Sequence, residues 1–168
     1  MTEMTYVDID KPNITSIEGI ELFPALESLE CHTGALTLCD LSSCTALTRL
    51  DCSGNQLTSL DVSKNTALTE LWCERNQLIS LDVSKNTALQ TLICNNNQLT
   101  SLNVSGCTAL TWLDCNNNQL TSFDVSGCTA LTNLNCNNNQ LIMLGLSNNS
   151  CLENLQIMLL TILLEWIF

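Results

Sequence analysis

Residues 60–80 read LDVSKNTALTELWCERNQLIS, and residues 81–89 begin the same phrase again, LDVSKNTAL. CNNNQL recurs at 94–99, 115–120 and 136–141, and SGCTALT at 105–111 and 126–132, so every recurrence is offset by 21 residues or a multiple of it. A fixed period of this size marks a solenoid, in which each unit buries its apolar face only against its neighbours. Starting each unit at its alanine gives 25–45, 46–66, 67–87, 88–108, 109–129 and 130–150. The predicted organisation is a divergent N-terminal capping repeat over 1–24, six repeats over 25–150, and a partial apolar repeat or cap over 151–168.

The alternation inside a unit gives its secondary structure. In Arg49 to Ser53, Leu50 and Cys52 point one way while Arg49, Asp51 and Ser53 point the other, which is the period of a strand. Neighbouring units then set these strands side by side about 4.8 Å apart in a parallel sheet. The second half alternates too, with Leu60 and Val62 inward and Ser59 and Asp61 outward. The expectation is therefore a mainly β solenoid of seven to eight coils with little helix. Its parallel sheet lines the concave face, and the convex face is strand-like or irregular. Asn55, Asn76, Asn97, Asn118 and Asn139 recur at the turn, where a buried amide can satisfy backbone groups that a sharp turn leaves unpaired.

The unit reads L-x-x-L-x-C-x-x-N-x-L, as in Leu47, Leu50, Cys52, Asn55 and Leu57, and this resembles the leucine-rich-repeat signature. The 21-residue period and the phrase NQLTSLDVS (55–63) resemble the internalin-like repeats of bacterial surface proteins. The resemblance implies a non-catalytic module that binds another protein through its strand-lined face, in a cell-surface or secreted setting. A glycan partner is the alternative, because aromatic platforms also suit sugars. MTEMTYVDID (1–10) shows no signal-peptide pattern.

Composition narrows the function classes. The 168 residues carry 5 basic against 17 acidic side chains, a net charge of −12, which argues against nucleic acid because phosphates need clustered Lys and Arg. His32 is the one histidine; Glu30 shares its outward face, but Cys31 points inward and no nucleophile stands beside the pair. With no nucleophile elbow and no glycine-rich phosphate loop either, neither an enzyme nor a cofactor is expected. No C-x-x-C pair offers a zinc site. An aspartate column (Asp40, Asp61, Asp82, Asp124) lacks convergent ligands for calcium.

Cysteines number eleven, and six of them (Cys31, Cys52, Cys73, Cys94, Cys115 and Cys136) fall on one inward column. Cys44, Cys107 and Cys128 alternate with Asn65, Asn86 and Asn149 in another. Buried cysteine behaves as a small hydrophobe, so free packing thiols are expected, with Cys107–Cys128 the pair best placed to be an exception.

Outward positions of the main sheet vary while the core repeats. Trp72, Ile93 and Trp112 should form one exposed apolar patch, ringed by Arg49, Glu70, Glu74, Arg75 and Asp114. Exposed tryptophan among polar residues is the chemistry of a binding hot spot. At the other end, IMLLTILLEWIF (157–168) places Met158, Leu159, Leu163, Leu164, Trp166 and Phe168 where a polar lid would be expected. It is too short to span a bilayer. Three readings stay open: a self-capping tail, a homodimer interface, or a truncated end. The dimer reading supports a second functional class, a structural spacer that self-associates through its C-terminus.

Overall fold

Each of the six repeats contributes a three-residue strand whose middle residue is buried leucine (Leu29, Leu50, Leu71, Leu92, Leu113, Leu134). Half-buried Val7 and the 41% exposed Leu155 take those places in the first and last strands, and stacking them in register builds the molecule. The computed structural model describes residues 4–9, 11, 13–32 and 34–157. In chain order the strands are β1 (Tyr6–Asp8), β2 (Ser28–Glu30), β3 (Arg49–Asp51), β4 (Glu70–Trp72), β5 (Ser80–Asp82), β6 (Thr91–Ile93), β7 (Ser101–Asn103), β8 (Trp112–Asp114), β9 (Ser122–Asp124), β10 (Asn133–Asn135), β11 (Met143–Gly145) and β12 (Asn154–Gln156). One 3-10 turn, Ile20–Leu22, interrupts them, and no α-helix occurs among the described residues.

Eight strands form one parallel sheet in the order β1-β2-β3-β4-β6-β8-β10-β12. Its register is the repeat itself: Leu50 faces Leu71, Leu71 faces Leu92, and Leu92 faces Leu113. The first pair differs, since Val7 faces Leu29 across 22 residues, the one-residue-longer connection of the divergent first coil. Met4, which fits the core spacing, is 48% exposed there. On the opposite side, among the described residues, only β5–β7 and β9–β11 pair, so the expected second strand forms there as separate two-stranded ladders. A concavity of about 360 Å³ separates Ser101–Ser105 from Ser122–Gly127. Among the described residues no helix is long and apolar enough to cross a membrane.

Two ladders of buried asparagine and cysteine hold the coils, and they work differently. In the first, Asn76 Oδ1 accepts the Leu57 N–H at 3.0 Å, while its Nδ2 donates to the Cys52 carbonyl of the preceding coil and to Cys73 of its own. Asn97, Asn118 and Asn139 repeat this pattern. Both ends of the carboxamide are used, so no other side chain of this size substitutes. Gly34 stands in the same column ahead of Asn55, where a Cβ would lie 2.7 Å from Asn55 Oδ1.

The second ladder uses only the donor end. Asn65 Nδ2 bridges the Leu41 and Cys44 carbonyls, and Asn86 Nδ2 those of Val62 and Asn65. The Oδ1 atoms of Asn65, Asn86 and Asn149 have no protein donor. A thiol is also a donor, and the Cys107 and Cys128 thiols reach the Val83 and Val104 carbonyls at 3.2 and 3.5 Å. Before Cys107 and Cys128 the chain runs close to the preceding coil at Gly106 and Gly127, where a Cβ would run into the carbonyl oxygen of Ser84 or Ser105. Ser43 precedes Cys44, whose thiol reaches the Ile20 carbonyl at 3.6 Å. Lysine precedes Asn65 and Asn86 (Lys64, Lys85), and Asn148 precedes Asn149.

All eleven cysteines are free, Cys107 and Cys128 included, and only Cys151 is exposed. Burial pushes the Cys52, Cys73, Cys94 and Cys115 thiols well up, Cys107 to about 12 and Cys136 to about 11. The reactive thiolate is thereby suppressed. The two ladders predict different costs for one substitution, read by equilibrium urea unfolding. Asn97→Cys strands the Leu78 N–H and at least one carbonyl and should cost on the order of 3 kcal/mol. Asn86→Cys loses one of two donations and should cost about 1 kcal/mol.

Candidate binding face on the long sheet

Flanking each buried leucine, two residues of every long-sheet strand face outward, and the parallel register lines them up in rows. On β3, Arg49 stands opposite Glu70 and diagonal to Glu30 and Trp72. Its Nη2 lies 3.5 Å from Glu30 Oε1 and its Nη1 3.9 Å from Glu70 Oε2, with the guanidinium carbon 4.4 Å from the Trp72 ring centroid. Arginine is thus clamped by two carboxylates and stacked on an indole, a cation–π contact of about 1 kcal/mol at a partly exposed site. In the next row Asp51 accepts the Ser53 N–H and hydroxyl. His32 Nδ1 is 3.9 Å from the other Asp51 oxygen, too long for a hydrogen bond.

Trp72 faces Ile93 directly, and Trp112 projects from β8 one row over, opposite Thr91. Trp112 is 49% exposed, whereas Trp72 and Ile93 are half-buried. Within the apolar patch expected of Trp72, Ile93 and Trp112, Arg49 lies over Trp72, leaving Trp112 as the open indole. Arg49, Glu70, Trp72, Ile93, Trp112 and Asp114 all project from the four consecutive strands β3, β4, β6 and β8. Arg75 does not: it occupies the left-handed turn beyond β4, at φ 54°. Met158, Leu159, Leu163, Leu164, Trp166 and Phe168 lie outside the described residues.

Electrostatically the face is divided. Its first half carries Glu30, His32, Arg49, Asp51, Glu70 and Glu74, and no basic residue follows Lys85. Burial, then the like charges of Asp51 and Asp114, raise the Glu74 carboxyl above its ordinary value, and its Oε2 is enclosed without a protein donor. In the second half Asp114 is occupied. One oxygen accepts the Asn116 N–H and side-chain amide, and the other accepts Asn135 Nδ2 at 3.3 Å. In the sequence Glu30 stands out only as the neighbour of His32, although the 21-residue offset already sets it diagonal to Arg49.

The opposite face has a structural use for its aspartates. Asp40, Asp61, Asp82 and Asp124 each accept the N–H of the serine two residues on, at 2.9–3.0 Å, and these bonds hold their carboxyls below the usual range. No group of residues that could hold a metal ion occurs among the described residues.

The family described as Leucine Rich repeats (2 copies) matches residues 45–86 and again 87–126. The functional domain of InlJ from Listeria monocytogenes, which includes a cysteine ladder, superimposes with a TM-score of 0.87 at 40% identity, over 94% of this chain and 36% of that one. Internalin C2 from Listeria monocytogenes str. 4b F2365 gives 0.69 at 24% identity, over 92% and 80%. YopM, a leucine-rich effector protein from Yersinia pestis, gives 0.74 at 22%, over 92% and 50%. The last two agree in fold alone, and the chain spans about a third of the InlJ domain. A sequence search of curated proteins finds no match.

Glu74 offers a pH test. Its raised folded value means the ionised form costs stability at neutral pH, and that cost is relieved as pH falls through the raised value towards the ordinary 4.5. Glu74→Gln should therefore be more stable than the parent at pH 7, with the difference vanishing below about pH 4.5. Urea unfolding of both proteins at several pH values measures it, and the aspartate contributions cancel in the comparison.

Proposed function

Because the chain is an internalin-like leucine-rich-repeat protein, we propose that it is a non-catalytic interaction module that binds another protein through the outward face of the long sheet. Leucine-rich-repeat proteins are generally protein-interaction modules, and the similarity to InlJ supports a bacterial surface or secreted setting. Free thiols suit such a setting when burial suppresses their thiolates.

One observation carries the reading. Outward positions on the opposite face repeat because each has a hydrogen-bonding duty in the turn, as the aspartate–serine pairs do. On the long sheet the second outward row keeps such a bond at Asp51, Asp114 and Asn135, but the first row has no shared duty and differs from coil to coil, running Ser28, Arg49, Glu70, Thr91, Trp112, Asn133. On this sheet the chain sets Trp72, Ile93 and Trp112 beside a pre-formed Arg49–Glu clamp. Aromatic and arginine side chains in one patch are the composition of interface hot spots.

Affinity capture with the parent protein, with Trp72→Ala/Trp112→Ala, and with Ser80→Ala/Ser101→Ala on the opposite face tests the proposal. Proteins retained by the parent and by the serine control should be lost by the tryptophan variant, with a drop in affinity of roughly thirtyfold or more. Circular dichroism should find all three equally folded. Retention by the tryptophan variant at parental strength would contradict the proposal.

A further inference from the structure

The second half of the long-sheet face holds a concavity of about 260 Å³ whose lining differs from the charged half in kind. Trp112, Asp114, Asn133, Asn135, Asn154 and Gln156 surround it. It contains one ionised group, and both oxygens of Asp114 are engaged by the amides of Asn116 and Asn135. No lysine or arginine follows Lys85 in the chain. An anion finds no counter-charge there, and a cation would have to displace the amides that already occupy both Asp114 oxygens, so the site favours a neutral ligand that uses the amides themselves.

The polar groups describe that ligand further. A carboxamide presents a donor pair and an acceptor from one rigid plane, and here four of them rise from two adjacent strands, β10 and β12. Asn133 accepts the Thr132 hydroxyl and keeps its amino group, and Asn135 accepts the Asn137 N–H and gives one N–H to Asp114. Asn154 and Gln156 stand beside them. Rows about 4.8 Å apart match the width of a single sugar ring, and each hydroxyl of such a ring is both donor and acceptor. Leu113 and Leu134 line its floor but are buried, so the exposed apolar surface is the flat, half-exposed Trp112 indole at the rim, which suits the C–H face of a pyranose. An apolar peptide side chain would call for an enclosed apolar pocket instead.

We propose that this concavity is a binding site for a neutral pyranose, as a monosaccharide unit or the end of an oligosaccharide. It shares Trp112 with the protein-binding face but excludes Arg49, Glu70 and Trp72, so the two readings can fail separately.

The test is a titration of the full-length ¹⁵N-labelled chain with maltotriose, cellotriose, lactose and chitotriose, followed by NMR. At least one sugar should shift the side-chain amides of Asn133 and Asn135 and the Trp112 indole N–H, saturating in the range of about 1 mM. Trp112→Ala and Asn135→Ala should each weaken that response at least about tenfold, while Trp72→Ala leaves it unchanged. The backbone spectrum of each variant reports its fold, and both substituted residues are solvent-accessible, so the fold should persist. No shift with any of the four at about 20 mM overturns the proposal, as does a response that survives Trp112→Ala. A neutral Gly-Ser tetrapeptide producing the same Trp112-dependent shifts overturns it in favour of a peptide.

Discussion

Everything in this molecule depends on a buried carboxamide that is satisfied at both ends. The turn after each long-sheet strand is too sharp for its backbone groups to pair with one another, and no helix packs over it to supply partners. Asn55, Asn76, Asn97, Asn118 and Asn139 fill that need, each joining a leucine N–H and a cysteine carbonyl of the preceding coil to its own strand end. One side chain therefore closes its own turn and fixes where the previous coil sits. Because buried polar groups are expensive unless fully paired, the spacing between coils is held as tightly as the shape of each. The second ladder relaxes the rule in an instructive way. It uses the donor end alone, so cysteine enters at Cys44, Cys107 and Cys128, with a small residue before it.

That fixed register is what makes a functional surface. With Leu50, Leu71, Leu92 and Leu113 facing one another across successive strands, residues two apart emerge in straight rows, and chemistry written 21 residues apart becomes contiguous. Arg49, Glu70 and Trp72 meet for this reason. The row that carries Arg49, Glu70 and Trp112 has no shared structural duty, unlike the aspartate row of the opposite face, where Asp40, Asp61, Asp82 and Asp124 are bound into their turns. The two halves of the long-sheet face then diverge: charged and partly pre-paired over β2 to β4, amide-rich with Asp114 as its one charge over β8 to β12.

The solenoid, its parallel sheet, the inward columns and the identity of the rows were all legible in the sequence, because each follows from period and alternation. The outcome at Trp72 was not legible. Alternation says that a side chain points outward, but whether Arg49 spreads over it depends on rotamer choice and on Glu30 and Glu70 pulling the guanidinium between them. The aspartate column was visible as a row of charges; its use as an acceptor for Ser42, Ser63, Ser84 and Ser126 depends on the local turn. The pairwise strands of the opposite face were predicted only as strand-like. Glycine at 106 and 127 could be read as turn chemistry, whereas its role is to admit the carbonyls of Ser84 and Ser105. What the repeats bind was legible only as a surface of the right composition.

Amide hydrogen exchange at Leu57, Leu78, Leu99 and Leu120 tests the central claim most directly. Their N–H groups sit outside the strands and donate to asparagine Oδ1 of the following coil at 2.9–3.0 Å. If that ladder holds the fold, these four amides exchange as slowly as those of Leu71, Leu92 and Leu113 inside the sheet, opening only with the coil itself. Exchange at the rate of exposed turn amides, with the sheet still protected, would contradict the account.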